Sequence, residues 1–303
     1  MKGNPVYRRE MTVSSRSIRL PVMVMVFNSI LALVALLNMY SVASQSRVTA
    51  EIQYSSFLRL YVFVALIEFL MLIFIMPALT AGSISGERER QTLNLMLSTQ
   101  MTPVEIVLGK LISSMINMAL LVISSFPVIS LVFIYGGIQL KDLGLLLLLY
   151  LSVALLSSSL GLCFSAVCKR STVATALSYG FLSFLLIGTY AINFFVWSIA
   201  QMGAARYVNQ VGGIASQVNS GGFFYLLLLN PALTFYQVIG NQVGDQEVSS
   251  MVIQHFGNRQ ANPVLNGWIP FSICLQILLA ILFLVIAVRT IDPACGKKIR
   301  RQL

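Results

Sequence analysis

Few side chains in this sequence can do chemistry, and they are unevenly placed. The densest charge before the C-terminal tail is Glu87-Arg88-Glu89-Arg90, acids alternating with bases. One carboxylate, Glu68, stands well inside an apolar run. An ionisable group at such a position is costly and defaults to a functional hypothesis. Catalytic motifs are missing. No Gly-x4-Gly-Lys-Ser/Thr occurs, and the nearest fragment, Gly109-Lys110-Leu111, lacks both loop and hydroxyl, so this chain does not bind ATP by that loop. There is no His-Glu-x-x-His. Gly82-Ser83-Ile84-Ser85-Gly86 has the outline of a nucleophile elbow, but Ile84 takes the place of the serine. The lone histidine, His255, has no acidic or cysteine partner in sequence and reads as a loop residue. Cys163 and Cys168 have no histidine or further cysteine beside them, Cys274 is in an apolar stretch and Cys295 in a basic tail, so neither zinc nor a disulfide framework is indicated. The 13 methionines are scattered and lack the histidine partners of a copper site. What remains is a charge cluster that a partner could grip. Glu68 could serve a pathway, or be a structural acid, protonated or bonded to a neighbour such as Asn117 or Asn193.

The elements that must carry these residues follow from composition. Of 303 residues, 57% are hydrophobic and 10% charged, against about 25% charged in soluble domains. A soluble globular enzyme and a disordered chain are both ruled out. A membrane span needs roughly 20 apolar residues, and six runs satisfy this: 20–43, 57–81, 103–134, 140–167, 172–200 and 268–288. The first is too long for a signal-peptide core of about 7–15 residues and is read as a retained helix. The third would be about 48 Å long as a helix, so one end must project beyond a hydrocarbon core of about 30 Å. A seventh candidate, 221–240, is split by Asn230-Pro231. Proline interrupts a helix, so two short helices in a re-entrant hairpin fit better. The expected fold is an all-α membrane protein, one transmembrane domain over 1–303. It has an interfacial N-terminal helix (1–20), a cytoplasmic coupling region (83–101), and an outer segment (201–267) containing the hairpin.

Charge orients the spans. With six spans and the N-terminus inside, Lys2, Arg8, Arg9, Arg16, Arg19, Arg88, Arg90, Lys110, Lys169, Arg170, Arg289, Lys297, Lys298, Arg300 and Arg301 are cytoplasmic, 15 in all; Arg47, Arg59, Lys141, Arg206 and Arg259 are outside, 5 in all. A seventh span would put the basic C-terminal tail outside, so the positive-inside rule favours six spans with both termini cytoplasmic. It also accounts for the net charge of +10 without nucleic acid. Asn4 and Pro5 suit a helix start. The alternation of Arg8, Arg9, Arg16 and Arg19 with Val6, Met11, Val13 and Ile18 suits a helix lying on anionic lipid.

The informative loop runs from Ala81 to Lys110. After the charge cluster, Leu93, Met96 and Leu97 recur at helical spacing. Glu87 and Glu89 fall in the first turns, where the helix dipole favours acids. Thr102-Pro103-Val104-Glu105 then reads as a capping box with proline at the first helical position. A short amphipathic helix, followed by a sharp turn into a long re-entering helix, is expected. It is either a plain interfacial loop helix or a surface for a soluble partner.

This stretch resembles the signature of the type-two ABC exporter permease family: Gly82, Glu87-Arg88-Glu89, Thr92-Leu93, Leu97, Thr102-Pro103 and Gly109-Lys110 stand at its spacing over about 30 residues. The six spans, the N-terminal interfacial helix and a hairpin with Asn230-Pro231 agree with it. Gln91 departs from it, at a place where glycine is common. The resemblance implies a non-enzymatic permease subunit of an exporter in a bacterial inner membrane. It pairs with a second permease copy or homologue, and an ABC nucleotide-binding ATPase holds the ATP and Mg; no cofactor is expected in this chain. Glu87, Arg88, Glu89, Thr92, Leu93, Met96 and Leu97 would couple to that ATPase. The second and fifth spans would face the dimer axis, with Glu68, Phe181 and Phe184 on the translocation path and Asn230 and Pro231 in an outer gate. Tyr61, Phe63, Phe69, Phe74, Tyr190, Phe194, Phe195 and Trp197 could line the same route or simply pack. Two other readings stand beside this one: a proton-coupled secondary transporter using Glu68, against which the lack of internal repeats argues, and a membrane scaffold that recruits a cytoplasmic protein.

Overall fold

The computed structural model describes residues 10, 12, 18–49, 55–93, 101–135, 138–211, 220–244, 264 and 267–291. Most of the interfacial helix expected over 1–20, together with Met96, Leu97, His255 and the C-terminal tail, lies outside them. Every regular element among the described residues is helical. In chain order these are α1 (Arg19–Thr49), α2 (Ser55–Thr80), α3 (Ser85–Glu89), α4 (Pro103–Tyr135), α5 (Leu140–Val167) and α6 (Ser171–Ser183). A π segment (Phe184–Gly188) leads into α7 (Thr189–Val211), followed by a 3-10 helix (Gly221–Leu229), α8 (Pro231–Val243) and α9 (Trp268–Ile291). Among the described residues, six helical stretches are long and apolar enough to cross a membrane: 21–44, 57–89, 103–130, 140–167, 171–205 and 268–291. They coincide with the six expected runs. Helices suit this composition because hydrocarbon offers no partner for a free backbone N–H or C=O.

The chain forms two compact units, Tyr179–Leu279 and the remainder. In the larger unit α2 packs on α5 and α4. The α2–α5 crossing is close: a Cβ added at Gly161 would collide with Thr80 Oγ1 and come within 3.1 Å of the Ala81 backbone nitrogen. Small residues at helix contacts permit such approach in lipid, where packing rather than solvent exclusion drives association. Hydroxyls within the apolar helices donate to carbonyls one turn back, as with Thr80 to Met76 (2.8 Å), Ser114 to Leu111 (2.7 Å) and Ser152 to Leu149 (2.8 Å).

In the smaller unit the expected break at Asn230 is present: the 3-10 helix and α8 meet at 85°. Asn230 Oδ1 accepts from Ala232 N (2.9 Å) and Leu233 N (3.4 Å), and Pro231 follows at the first helical position. At about 18 Å for the 3-10 helix and about 20 Å for α8, each arm is shorter than a hydrocarbon core. The π segment was not expected. Asn230 Nδ2 donates to Leu186 O within it (2.7 Å) and to Thr189 Oγ1 just after it (2.9 Å). Thr234, Ser272 and Gln276 form a buried hydroxyl–amide network that joins α8 to α9, with Ser272 Oγ donating to Leu228 O (2.7 Å).

Candidate coupling site

The Glu87–Arg90 cluster follows α2 through the turn Ala81–Ile84. Short α3 has no side-chain cap of its own. Ser165 of α5 supplies one from outside, its Oγ accepting from Ile84 N (2.9 Å) and Ser85 N (3.0 Å). The helix ends at Arg90, and Gln91 takes a left-handed conformation with φ of 60°. A side chain is strained in this region, and glycine would adopt it without that cost. The expected continuous helix from Glu87 onward is therefore interrupted after Glu89 by a turn. Thr92 Oγ1 donates back to Glu87 O (3.1 Å).

Three of the four charges, Glu87, Arg88 and Glu89, meet specific partners. Lys110 of α4 is buried, and its ammonium donates to Glu87 Oε1 (2.8 Å), Glu10 Oε1 (3.0 Å) and Ser83 O (3.1 Å). Its three protons are thus all used. Arg88 donates from Nη2 to Ala166 O (2.8 Å) and from Nη1 to Cys168 O (3.1 Å), at the C-terminal end of α5. Glu89 accepts from Ser171 N (2.8 Å) and Ser171 Oγ at the start of α6. Burial pushes the Cys168 thiol up, and the Arg88 charge opposes that rise. Glu89, Arg90 and Gln91 are exposed, while Glu87, Arg88 and Thr92 are half-buried. Leu93 is buried in an apolar cluster with Ile84, Val107, Leu111, Leu162, Ala166, Ala287 and Ile291, anchoring the segment inward. The capping box at the start of α4 is present: Thr102 N donates to Glu105 Oε2 (2.9 Å) and Glu105 N to Thr102 Oγ1 (3.3 Å).

The pattern singled out Gly109-Lys110, but the role of Lys110 as the joint between Glu10, Ser83 and Glu87 is tertiary. Ser165, Ala166, Cys168 and Ser171 were missed, because nothing local marks a serine or a main-chain carbonyl as a receptor for a residue about 80 positions earlier.

Glu68 is 2% exposed within the larger unit. Neither carboxyl oxygen has a hydrogen-bond partner among the described residues. In the smaller unit Asn193 donates to Phe223 O (2.8 Å). The hydroxyls facing Glu68 are those of Ser125 and Tyr150. Both point their protons at main-chain carbonyls, Ser125 at Val122 O (2.7 Å) and Tyr150 at Ala65 O (2.8 Å). The aromatic residues divide. Tyr61 and Phe69 are buried, whereas Phe63, Phe74, Phe184, Tyr190, Phe194 and Phe195 are exposed on this single chain. Phe181 and Phe184 are ring neighbours, with centroids 6.4 Å apart.

Six apolar helices and a charged segment between two of them define a multi-pass membrane protein. The family model described as ABC-2 family transporter protein matches residues 5–289, and the chain belongs to that family. It is thus a membrane permease of an ABC transporter, a class that associates with an ABC ATPase. No curated protein matches it.

Proposed function

We propose that this chain is the permease subunit of an ATP-driven exporter in a bacterial inner membrane, with both termini cytoplasmic. A separate ATPase binds ATP and Mg and docks beneath it, and a second copy or homologue completes the pathway. The single observation that carries the reading is the segment 84–93: charged, capped from α5, and bonded to α4, α5 and α6. A contiguous packed element of this kind can carry conformational free energy from an ATPase. The exposed aromatics Phe184, Tyr190, Phe194 and Phe195 suit an amphipathic cargo or a face for the second permease. In this reading Phe181, Phe184 and Glu68 belong to the path, and the Asn230–Pro231 bend to the outer gate.

The test is affinity purification of the tagged chain in mild detergent from its own host. A stoichiometric ABC ATPase, whose hydrolysis changes on reconstitution with the chain, is expected. Purification without an ATPase would refute the reading. A second reading, a proton-coupled carrier, is favoured by the bare carboxyl of Glu68; solute uptake without ATP, driven by a pH gradient and abolished in Glu68→Gln, would select it.

A further inference from the structure

The contacts of Arg88 and Glu89 lead beyond a docking surface. α5 and α6 are joined by only Cys168, Lys169 and Arg170, and the two helix ends at that turn carry opposite orphan groups. The last carbonyls of α5 have no intrahelical donor, and the first N–H groups of α6 have no intrahelical acceptor. Arg88, a planar cation with several donors, sits on Ala166 O and Cys168 O. Glu89 sits on Ser171 N and Oγ. Each charge matches the sign its helix end favours, cation at the C-terminus and anion at the N-terminus. Two consecutive residues therefore clamp both sides of one turn, and exchanging them would place the wrong charge at both ends.

We propose that Arg88 and Glu89 are positioning residues that splint the α5–α6 turn to the segment 84–93, so that a displacement of this segment is delivered to the fourth and fifth spans together. The side chains left to meet an ATPase here are then the exposed Arg90 and Gln91 with Lys169 and Arg170 of the turn. This rests on the permease reading for the source of the displacement, but the splint itself is a property of the chain alone.

Hydrogen–deuterium exchange of the purified complex tests it, comparing the nucleotide-free state with the ATP–vanadate-trapped state. In the wild type, the peptides covering 84–93 and 164–174 should change protection together. In Glu89→Gln, which keeps size and loses charge, and in Arg88→Met, baseline exchange at Ser171 and the neighbouring turn should rise about tenfold. The nucleotide response of the turn should then disappear while that of 84–93 remains. Arg88→Lys, which retains charge without the fork, should recover part of the response. Unchanged turn exchange in both Glu89→Gln and Arg88→Met would overturn the splint, as would a wild-type turn that ignores nucleotide while 84–93 responds. Should Arg88→Met fail to insert, Glu89→Gln carries the same comparison. If no ATPase accompanies the wild-type chain, the permease reading fails, and the exchange of the isolated chain and its two variants still decides the splint.

Discussion

Replacing Lys110 by methionine should be among the most damaging single changes in the larger unit. The lysine side chain is 3% exposed and holds Glu87, whose side chain is 15% exposed, and Glu10 at 35%. Removing one partner of a buried pair costs roughly 3–5 kcal/mol, because the other charge is left uncompensated. Glu10 can turn to water and methionine keeps the stem packed, so the lower end, about 3 kcal/mol, applies. Glu87→Gln leaves Lys110 with Glu10 and Ser83 O and should cost about 1.5 kcal/mol, the worth of one charge-assisted bond. Combining the two removes both unlike charges at the centre, so the double variant should be about 2 kcal/mol more stable than the single losses predict. The assay is a double-mutant cycle by reversible unfolding of the purified chain in mixed micelles, with membrane insertion checked separately. Losses that add to within about 0.5 kcal/mol would refute the idea that Lys110 and Glu87 act as one unit.

Other changes test the local geometry. Gln91→Gly should stabilise by about 0.5–1 kcal/mol in the same unfolding assay, because relief of a left-handed side chain exceeds the entropy glycine adds. Gly161→Ala should cost about 1–3 kcal/mol and lower the yield of folded protein, since its methyl group would meet Thr80 Oγ1 and the Ala81 main chain. Asn230→Asp keeps the acceptor for Ala232 and Leu233 but loses donation to Leu186 O and Thr189 Oγ1, whereas Asn230→Leu loses both; melting curves should rank wild type above Asp above Leu, with about 1 kcal/mol for the cap alone. Glu68→Leu should leave melting unchanged or raise it, because the hydroxyls that face the carboxyl already give their protons to main-chain carbonyls.

The long elements were legible because their signal is local. Apolar runs, the Thr102–Glu105 box and the Asn230-Pro231 break each announce themselves within a few residues, and the helices begin and end close to where those signals stand. The charged cluster was legible as a place but not as a geometry. Its partners are backbone carbonyls, a backbone N–H and a serine hydroxyl of α5 and α6, which carry no distinguishing sequence mark. The interruption after Glu89 was hidden for a related reason: the left-handed Gln91 stands between residues held by tertiary contacts, Ile84 and Leu93 in one apolar cluster and Arg88 and Glu89 on α5 and α6. The π segment likewise meets a partner that no local pattern marks, Asn230, 44 positions from Leu186.

Lys110 and Glu68 are both buried ionisable side chains of the larger unit, and their surroundings separate their roles. Lys110 directs every proton at an acceptor, and those acceptors lie on two otherwise separate stretches of chain, Glu10 and the turn from Ser83 to Glu87. Such an arrangement specifies register, because any slip of α4 would bare a charge. Glu68 meets no hydrogen-bond donor among the described residues, and the hydroxyls facing it give their protons elsewhere. Its burial returns no stability to the fold, since an unsatisfied buried polar group costs about 1–3 kcal/mol. A leucine at position 68 would pack without that cost, so packing does not account for the carboxylate. Stability and transport should therefore separate at this position. A Glu68→Leu chain that melts no lower than wild type but transports poorly assigns the side chain to the pathway. One that melts no lower and transports normally removes it from the mechanism.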